Sequence, residues 1–156
     1  MLYMLDTNMV SHFIRMHPSV VGRVISTPMA SLCISAITEG ELLFGLAKRP
    51  GAKQLHLAVR EFLRRVDVLD WDSSAAEHYG TLRAGMQGQG KVLAPLDMLI
   101  TAHAISVGAV LVSNDQAFSQ LAALLIEDWA QQRPTSNQPD RSILPVNVLK
   151  YNMFSR

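Results

Sequence analysis

Apolar residues along this chain fall into two alternating kinds of run. Short unbroken runs end on small, polar or acidic residues. Leu2-Tyr3-Met4-Leu5 stops at Asp6, Leu32-Cys33-Ile34 stops at Ser35, and Ala109-Val110-Leu111-Val112 stops at Ser113-Asn114-Asp115. Runs of this kind read as buried strands. Between them apolar positions recur at helical spacing: Met9, Val10, Phe13 and Ile14, then Ile37, Leu42, Leu43 and Leu46, then Leu55, Val59, Phe62 and Leu63 within residues 54–65. Val66-Asp67-Val68-Leu69 alternates as a short strand would. Residues 75–87 read as a helix ending near Gly88 and Gly90, and residues 95–106 as a helix stopped by Gly108. Leu124-Leu125-Ile126 closes the series as a last short strand. Strands alternating with helices predict an α/β domain with a mainly parallel central sheet flanked by helices.

The pattern changes after Trp129. Gln131-Gln132-Arg133-Pro134-Thr135-Ser136-Asn137-Gln138-Pro139-Asp140 is polar and proline-containing, as linkers are, and residues 143–154 turn apolar again. We divide the chain into a domain over 1–130 and a linker with a C-terminal extension over 131–156. The length of 156 residues fits one domain with a real core, and 49% hydrophobic against 17% charged residues excludes a disordered chain. A net charge of +1 argues against a uniformly basic surface but leaves room for a basic rim around an acidic centre. The single cysteine, Cys33, lies in an apolar run and reads as a buried core thiol, compatible with a reducing cytoplasm. Residues 92–112 are the most membrane-like stretch, yet they contain Asp97, and an Asp at a bilayer centre costs about 2.5–3.5 kcal/mol. A soluble, cytoplasmic protein with no membrane partner is the expectation.

Four carboxylates carry the candidate chemistry. Taken singly, each has an ordinary explanation. Asp6 suits a helix N-cap, and Asp97 suits the first turn of a helix, where the dipole favours negative charge. Asp115 suits a turn, and Glu41 could close a capping box with Thr38. Taken together they say more. Asp6 and Asp115 follow strands, while Glu41 and Asp97 lie near the starts of helices. In open α/β sheets, ligands bind beyond the carboxyl ends of the strands. Carboxylates converging there would repel one another, and a divalent cation removes the conflict. Oxygen-only ligation suits Mg²⁺ or Mn²⁺, and no His or Cys pair has zinc spacing.

In order along the chain, Met4-Leu5-Asp6-Thr7-Asn8, Ile34-Ser35-Ala36-Ile37-Thr38-Glu39-Gly40-Glu41-Leu42-Leu43-Phe44-Gly45, Pro95-Leu96-Asp97-Met98-Leu99-Ile100-Thr101-Ala102-His103-Ala104 and Leu111-Val112-Ser113-Asn114-Asp115 resemble PIN-domain proteins. They most resemble the VapC toxins of bacterial toxin–antitoxin pairs, and Glu127-Asp128-Trp129 resembles the closing residues of those toxins. The resemblance implies a three-layer fold and a metal-dependent endoribonuclease. Its site would be Asp6, Glu41, Asp97 and Asp115 around Mg²⁺ (or Mn²⁺), bordered by Thr7, Asn8 and Ser113, the last standing where the family more often has Thr. For such a site we expect one or two Mg²⁺ ions and in-line attack of a metal-activated water on an RNA phosphate, with Asp97 or Glu41 orienting that water. The expected partners are an RNA substrate, with tRNA and its initiator species foremost, and a VapB-type antitoxin that blocks the site. A homodimer, and operator DNA bound only through the antitoxin, complete the expected set. The resemblance says nothing of residues 131–156.

An acidic site acting on RNA needs cations nearby. Lys48, Arg49, Lys53, Arg60, Arg64, Arg65, Arg83 and Lys91 are candidates, with Arg83 and Lys91 favoured because they precede Asp97. The five histidines, Trp71 and Trp129 are read as structural. The rival readings are an inactive PIN module that binds RNA or an antitoxin, and a phosphotransfer enzyme with Asp6 as nucleophile. Asn8, where the second pattern would want Asp, counts against the latter.

Overall fold

The short apolar runs become the strands of one sheet. A computed structural model describes residues 1–122 and 124–131; the polar linker and the C-terminal extension expected from the sequence lie outside the described residues, apart from Gln131. The strands are β1 (Tyr3–Leu5), β2 (Leu32–Ser35), β3 (Asp67–Leu69), β4 (Val110–Val112) and β5 (Ile126–Glu127). They lie in the order β3-β2-β1-β4-β5, and every pair is parallel. The first strand is therefore the central one, with Met4 beside Cys33 on one side and beside Leu111 on the other.

Parallel strands need crossovers, and helices supply them. They are α1 (Thr7–Ile14), α2 (Pro18–Ser26), α3 (Ala36–Ala47), α4 (Lys53–Arg65), α5 (Ser73–Gly88) and α6 (Pro95–Ser106). Side chains alternate across a strand, and the two cores follow that alternation. Leu5, Ile34 and Val112 point into one core with Met9, Leu42, Leu46, Val59 and Phe62, contributed by α1, α3 and α4. Met4, Cys33 and Leu111 point the opposite way, into a core with Met86 of α5 and Met98, Ile100 and Ala104 of α6. The result is three layers, α1–α4 on one face of the sheet and α5–α6 on the other. Cys33 is free and fully buried, and that burial, with Asp67 nearby, pushes its thiol up to about 12.

The helix over 95–106 forms over the residues its sequence indicated. Pro95 starts it, where a missing N–H costs nothing, and Gly108 follows it with a φ of 65° that an L side chain resists. The segment missed in the sequence is α2. His17 precedes it without a side-chain cap and Gly22 interrupts it, so the usual start signal is weak. Its buried positions Val20, Val21 and Val24 nevertheless keep helical spacing. No described helix is long and apolar enough to cross a membrane.

Trp129 closes the core at the β5 end. It is 2% exposed, stacks 5.3 Å from the Tyr3 ring, lies under the Arg23 guanidinium and donates its indole N–H to Glu127 at 2.7 Å. Arg23 forms an ion pair with the same Glu127 carboxylate. Both tryptophans act as anchors, since Trp71 donates to the Leu99 carbonyl at 3.0 Å. Truncating Trp129→Ala is expected to cost about 3–5 kcal/mol, the usual range for a buried aromatic. Urea unfolding should show the midpoint fall with the slope unchanged.

Candidate functional site

All five strands point the same way, so the ends of β1, β2 and β4 open onto a single edge of the sheet. Asp6 follows β1, Ser35 ends β2, and Ser113 follows β4. α6 runs back against the strands to feed β4, which puts its first turn, with Asp97, at that same edge. α3 leaves the edge from Ser35 and carries Glu41 five residues into its length, about 8 Å along the axis.

Each acidic residue is held locally. Asp6 caps α1, its Oδ1 accepting from the Met9 N–H at 2.7 Å, and it is only 5% exposed. Ser113, also buried, favours the charged form of Asp6 through its hydroxyl and accepts from the Asp115 N–H at 3.0 Å. Asp115 in turn caps the 3-10 turn Gln116–Gln120 by accepting from the Ala117 N–H at 2.9 Å. Thr7 donates to Glu41 Oε1 at 2.7 Å, tying α1 to α3. The capping-box reading of Glu41 does not hold. Ser35 is the cap of α3, accepting from the Ile37 N–H at 3.1 Å, so Glu41 lies mid-helix and free for other work. Asn8 is exposed at the start of α1.

The four carboxylates feel one another. Burial above all pushes the Asp6 carboxyl up to about 6 from its ordinary 3.8; hydrogen bonds from Ser113 and the Met9 N–H partly offset this, and the charges of Asp97 and Asp115 raise it further. Asp97 is also raised, first by burial, then by Asp115 and Glu41. The edge is thus an acidic basin in which Asp97 and Asp115 destabilise the charge of Asp6, and Asp115 and Glu41 that of Asp97. Among the described residues, no three His, Cys, Asp or Glu side chains form a ready-made metal cage. Their chemistry still fits a hard divalent cation. The donors are all oxygens, and Mg²⁺ commonly takes one or two carboxylates and keeps its remaining ligands as water. Thr38 and Thr101, buried hydroxyls with no partner among the described residues, lie one turn from Glu41 and Asp97.

A buried link sets the spacing of the two helices that carry Glu41 and Asp97. Ser35 Oγ and His103 Nδ1 are 2.8 Å apart, with Ser35 0% and His103 1% exposed. Ser35 Oγ also accepts from the Ile37 N–H, and which of the pair donates across the Ser35–His103 contact follows the imidazole tautomer. Burial lowers the His103 pKa, against the charges of Asp72 and Asp70. Nothing in the sequence connected these two residues, 68 positions apart. His12 plays a smaller part from α1, where its Nε2 lies 3.2 Å from Asn114 Nδ2, beside Ser113 and Asp115.

The two cations favoured from sequence each have a hydrogen-bond partner. Arg83 donates to the Tyr79 hydroxyl at 2.8 Å and lies over that ring, and Lys91 donates to the Gln120 carbonyl at 3.0 Å. Arg64 and Arg65 both pair with Glu61 on their own helix.

The Asp6 burial has a measurable consequence. In the absence of divalent ions the fold keeps the Asp6 proton up to about pH 6, whereas the unfolded chain holds it only to about 3.8. This group's contribution to stability is full below 3.8 and is lost as the pH rises through 6. At about 1.36 kcal/mol per pH unit the loss is roughly 3 kcal/mol. Asp6→Asn keeps the cap and removes the charge. Urea unfolding in EDTA should show no difference from wild type near about pH 3.5 and a variant more stable by roughly 3 kcal/mol at about pH 8. A difference independent of pH would refute the assignment.

The PIN-domain family profile matches residues 3–124. The tRNA(fMet)-specific endonuclease VapC of Shigella flexneri is 38% identical over 130 residues, covering 82% of this chain and 98% of that protein. Ribonuclease VapC2 of Haemophilus influenzae is 35% identical over 128 residues, 81% of this chain and 97% of the relative. Among solved structures, the DNA-bound VapBC of Salmonella typhimurium superposes with a TM-score of 0.77 at 36% identity, over 83% of this chain and 99% of that one. VapBC2 of Rickettsia felis, bound to a promoter DNA fragment, gives 0.75 at 31% identity over 81% and 98%. With an all-parallel PIN-like sheet and an acidic edge already evident, these likenesses agree with the fold, and the chain belongs to the PIN-domain family, among the VapC ribonucleases.

Proposed function

We propose that this chain is a divalent-metal-dependent endoribonuclease toxin, with Asp6, Glu41, Asp97 and Asp115 as its metal-binding and catalytic carboxylates and Mg²⁺ as the ion. The observation that carries the reading is the buried Asp6 carboxyl, pushed up to about 6 among Asp97 and Asp115. A stable fold has little reason to gather charges that oppose one another unless a cation joins them. Mn²⁺ offers the same oxygen chemistry as the alternative ion.

A divalent cation held there acidifies water and offsets the charge that develops on the leaving oxygen. The chain's own residues orient the reaction. Asp97, its pKa raised by burial and by the charges of Asp115 and Glu41, is suited to take a proton from the attacking water. Glu41, already accepting from Thr7, is held in one orientation at the flank of the site. Ser113 fixes Asp6 and the Asp115 backbone relative to each other. Hydrolysis breaks the bond between phosphorus and the 3′-oxygen, leaving a 3′-hydroxyl and a 5′-phosphate.

Initiator tRNA is the proposed substrate, supported by the named specificity of the Shigella flexneri relative. The VapBC structural neighbours support a VapB-type antitoxin as partner. Operator DNA would be bound through that antitoxin, and the toxin would be a homodimer in the assembly. Purified protein should cut initiator tRNA into discrete fragments with Mg²⁺ and none with EDTA. Asp6→Asn, which keeps the helix cap, should lower the rate by at least about a hundredfold, the scale of losing an electrostatic group from a reacting centre. Cleavage that survives both EDTA and Asp6→Asn would end this reading.

A further inference from the structure

α3 carries more than Glu41 on the face it turns toward the site. Phe44, Gly45 and Lys48 follow at three, four and seven residues, so all four share one stripe of the helix. From Glu41 to Lys48 the stripe extends about 10 Å along the axis. Glu41, Gly45 and Lys48 of this stripe line a cleft of about 620 Å³ that begins at Thr7 and Glu41 and runs between α1, α3 and the start of α4, with Phe44 outside the lining. That volume falls within the roughly 300–1,000 Å³ of ordinary ligand pockets.

The chemistry of the cleft is divided. Ile14, Leu42, Leu46 and Val59 give it an apolar floor, and Arg15, Lys48, Arg49 and Lys53 surround it, against the single carboxylate Glu41. Among the described residues, ion pairs hold Arg23, Arg64 and Arg65 and none holds these four cations. Phe44, 63% exposed, stands beside them with the Lys48 ammonium 5.0 Å from its ring centre. Cations without counter-ions, an exposed aromatic face and an apolar floor are the parts with which proteins hold single-stranded nucleic acid.

We propose that this cleft seats the single-stranded RNA segment adjoining the phosphate that is cut, with Lys48, Arg49 and Lys53 on its backbone phosphates and Phe44 stacked on a base. The assignment rests on the ribonuclease reading above. It also answers the electrostatic problem of that reading. A polyanion approaching an acidic basin is repelled, and the free cations beside Glu41 offset that repulsion on one side of the site. Arg83 and Lys91, engaged by Tyr79 and Gln120, do not line this cleft.

The test is binding, separate from cleavage. The probe is a short fluorescein-labelled single-stranded oligoribonucleotide, titrated in EDTA against the full chain carrying Asp6→Asn, over a range of salt concentrations. Lys48→Ala with Arg49→Ala and Lys53→Ala should weaken binding and flatten the log–log salt slope by about 2, at about 0.7 for each phosphate no longer neutralised. Phe44→Ala should weaken binding by roughly fivefold to a hundredfold, the scale of one stacked base, and leave the slope unchanged. Gly45→Trp should block the cleft sterically, because Gly45 lines it and a side chain started there meets no atom within 4 Å. It should lower affinity at least about tenfold with the slope intact. Arg64→Ala with Arg65→Ala is the matched charge control and should bind as the parent does. Thermal midpoints within a few degrees of the parent confirm that the variants fold.

Cleft variants that bind RNA with the parent's affinity and slope overturn the assignment while leaving the ribonuclease reading intact. Variants that keep RNA but lose a cognate antitoxin would show the cleft to be a protein-binding surface, which also overturns it. A parent that binds no RNA at any salt concentration overturns the assignment, and the ribonuclease reading then stands or falls on the cleavage assay.

Discussion

The structure turns on a carboxylate buried at the end of its central strand. Asp6 follows β1, which has neighbours on both sides, and its own backbone N–H donates to the Val112 carbonyl of β4 at 3.1 Å. Water is largely excluded there, so the charge depends on the Met9 N–H and the Ser113 hydroxyl. Both are present because the chain is built around that point. Met9 is positioned by the helix that Asp6 itself starts, and Ser113 by the strand beside β1. Two further carboxylates then raise the energy of the Asp6 charge. The arrangement is electrostatically unfavourable by itself, and the sheet and the two cores hold it in place.

Their hold is rigid because the acidic edge is fixed from both layers. α3 comes from the layer of α1–α4 and α6 from the opposite one, and the sheet lies between them. The Ser35–His103 contact connects them directly at the end of β2. Losing it would leave a buried imidazole nitrogen or hydroxyl without a partner, at a cost of about 1–3 kcal/mol. It would also relax the distance between the helices that carry Glu41 and Asp97. Thr7 and Glu41 make a second connection, between α1 and α3. The site is therefore framed by side-chain hydrogen bonds between elements far apart in sequence. Side chains fixed in this way need less reorganisation when charge develops at the reacting centre.

Much of this was legible in the sequence, and the physical reasons are specific. The strands could be read because a central parallel strand is buried on both faces and so is apolar without interruption, as in Leu2-Tyr3-Met4-Leu5. The four carboxylates could be read because strand ends and helix starts alternate along the chain, and a parallel sheet sends both to the same edge. Local chemistry misled at Glu41, where Thr38 has the capping-box spacing but Ser35, three residues earlier, makes the cap. The cations were the least legible. Glu61 lies three and four residues before Arg64 and Arg65, a helical ion-pair spacing visible in the sequence. Which of the remaining cations face a cleft depends on the packing of α1, α3 and α4 against one another. The link from Ser35 to His103 left no signal, since a buried histidine and a strand-end serine each have ordinary explanations.

The ordinary explanations of the acidic residues prove compatible with the functional ones. Asp6 and Asp115 are both caps and members of the basin, and Asp97 occupies a helix start where the dipole favours its charge. A helix start at the end of a parallel strand presents unpaired backbone N–H groups and asks for an oxygen acceptor. An acidic side chain satisfies that demand with one oxygen and leaves the other for the edge of the sheet. The topology can therefore gather negative charge at one edge while local structure is satisfied at each point, and the opposition appears only where the charges meet. This explains why no single acidic residue here looks exceptional in sequence while the set does. It also makes Asn the informative replacement at Asp6 and Asp115, because Asn preserves the cap and removes only the charge, whereas Ala removes both.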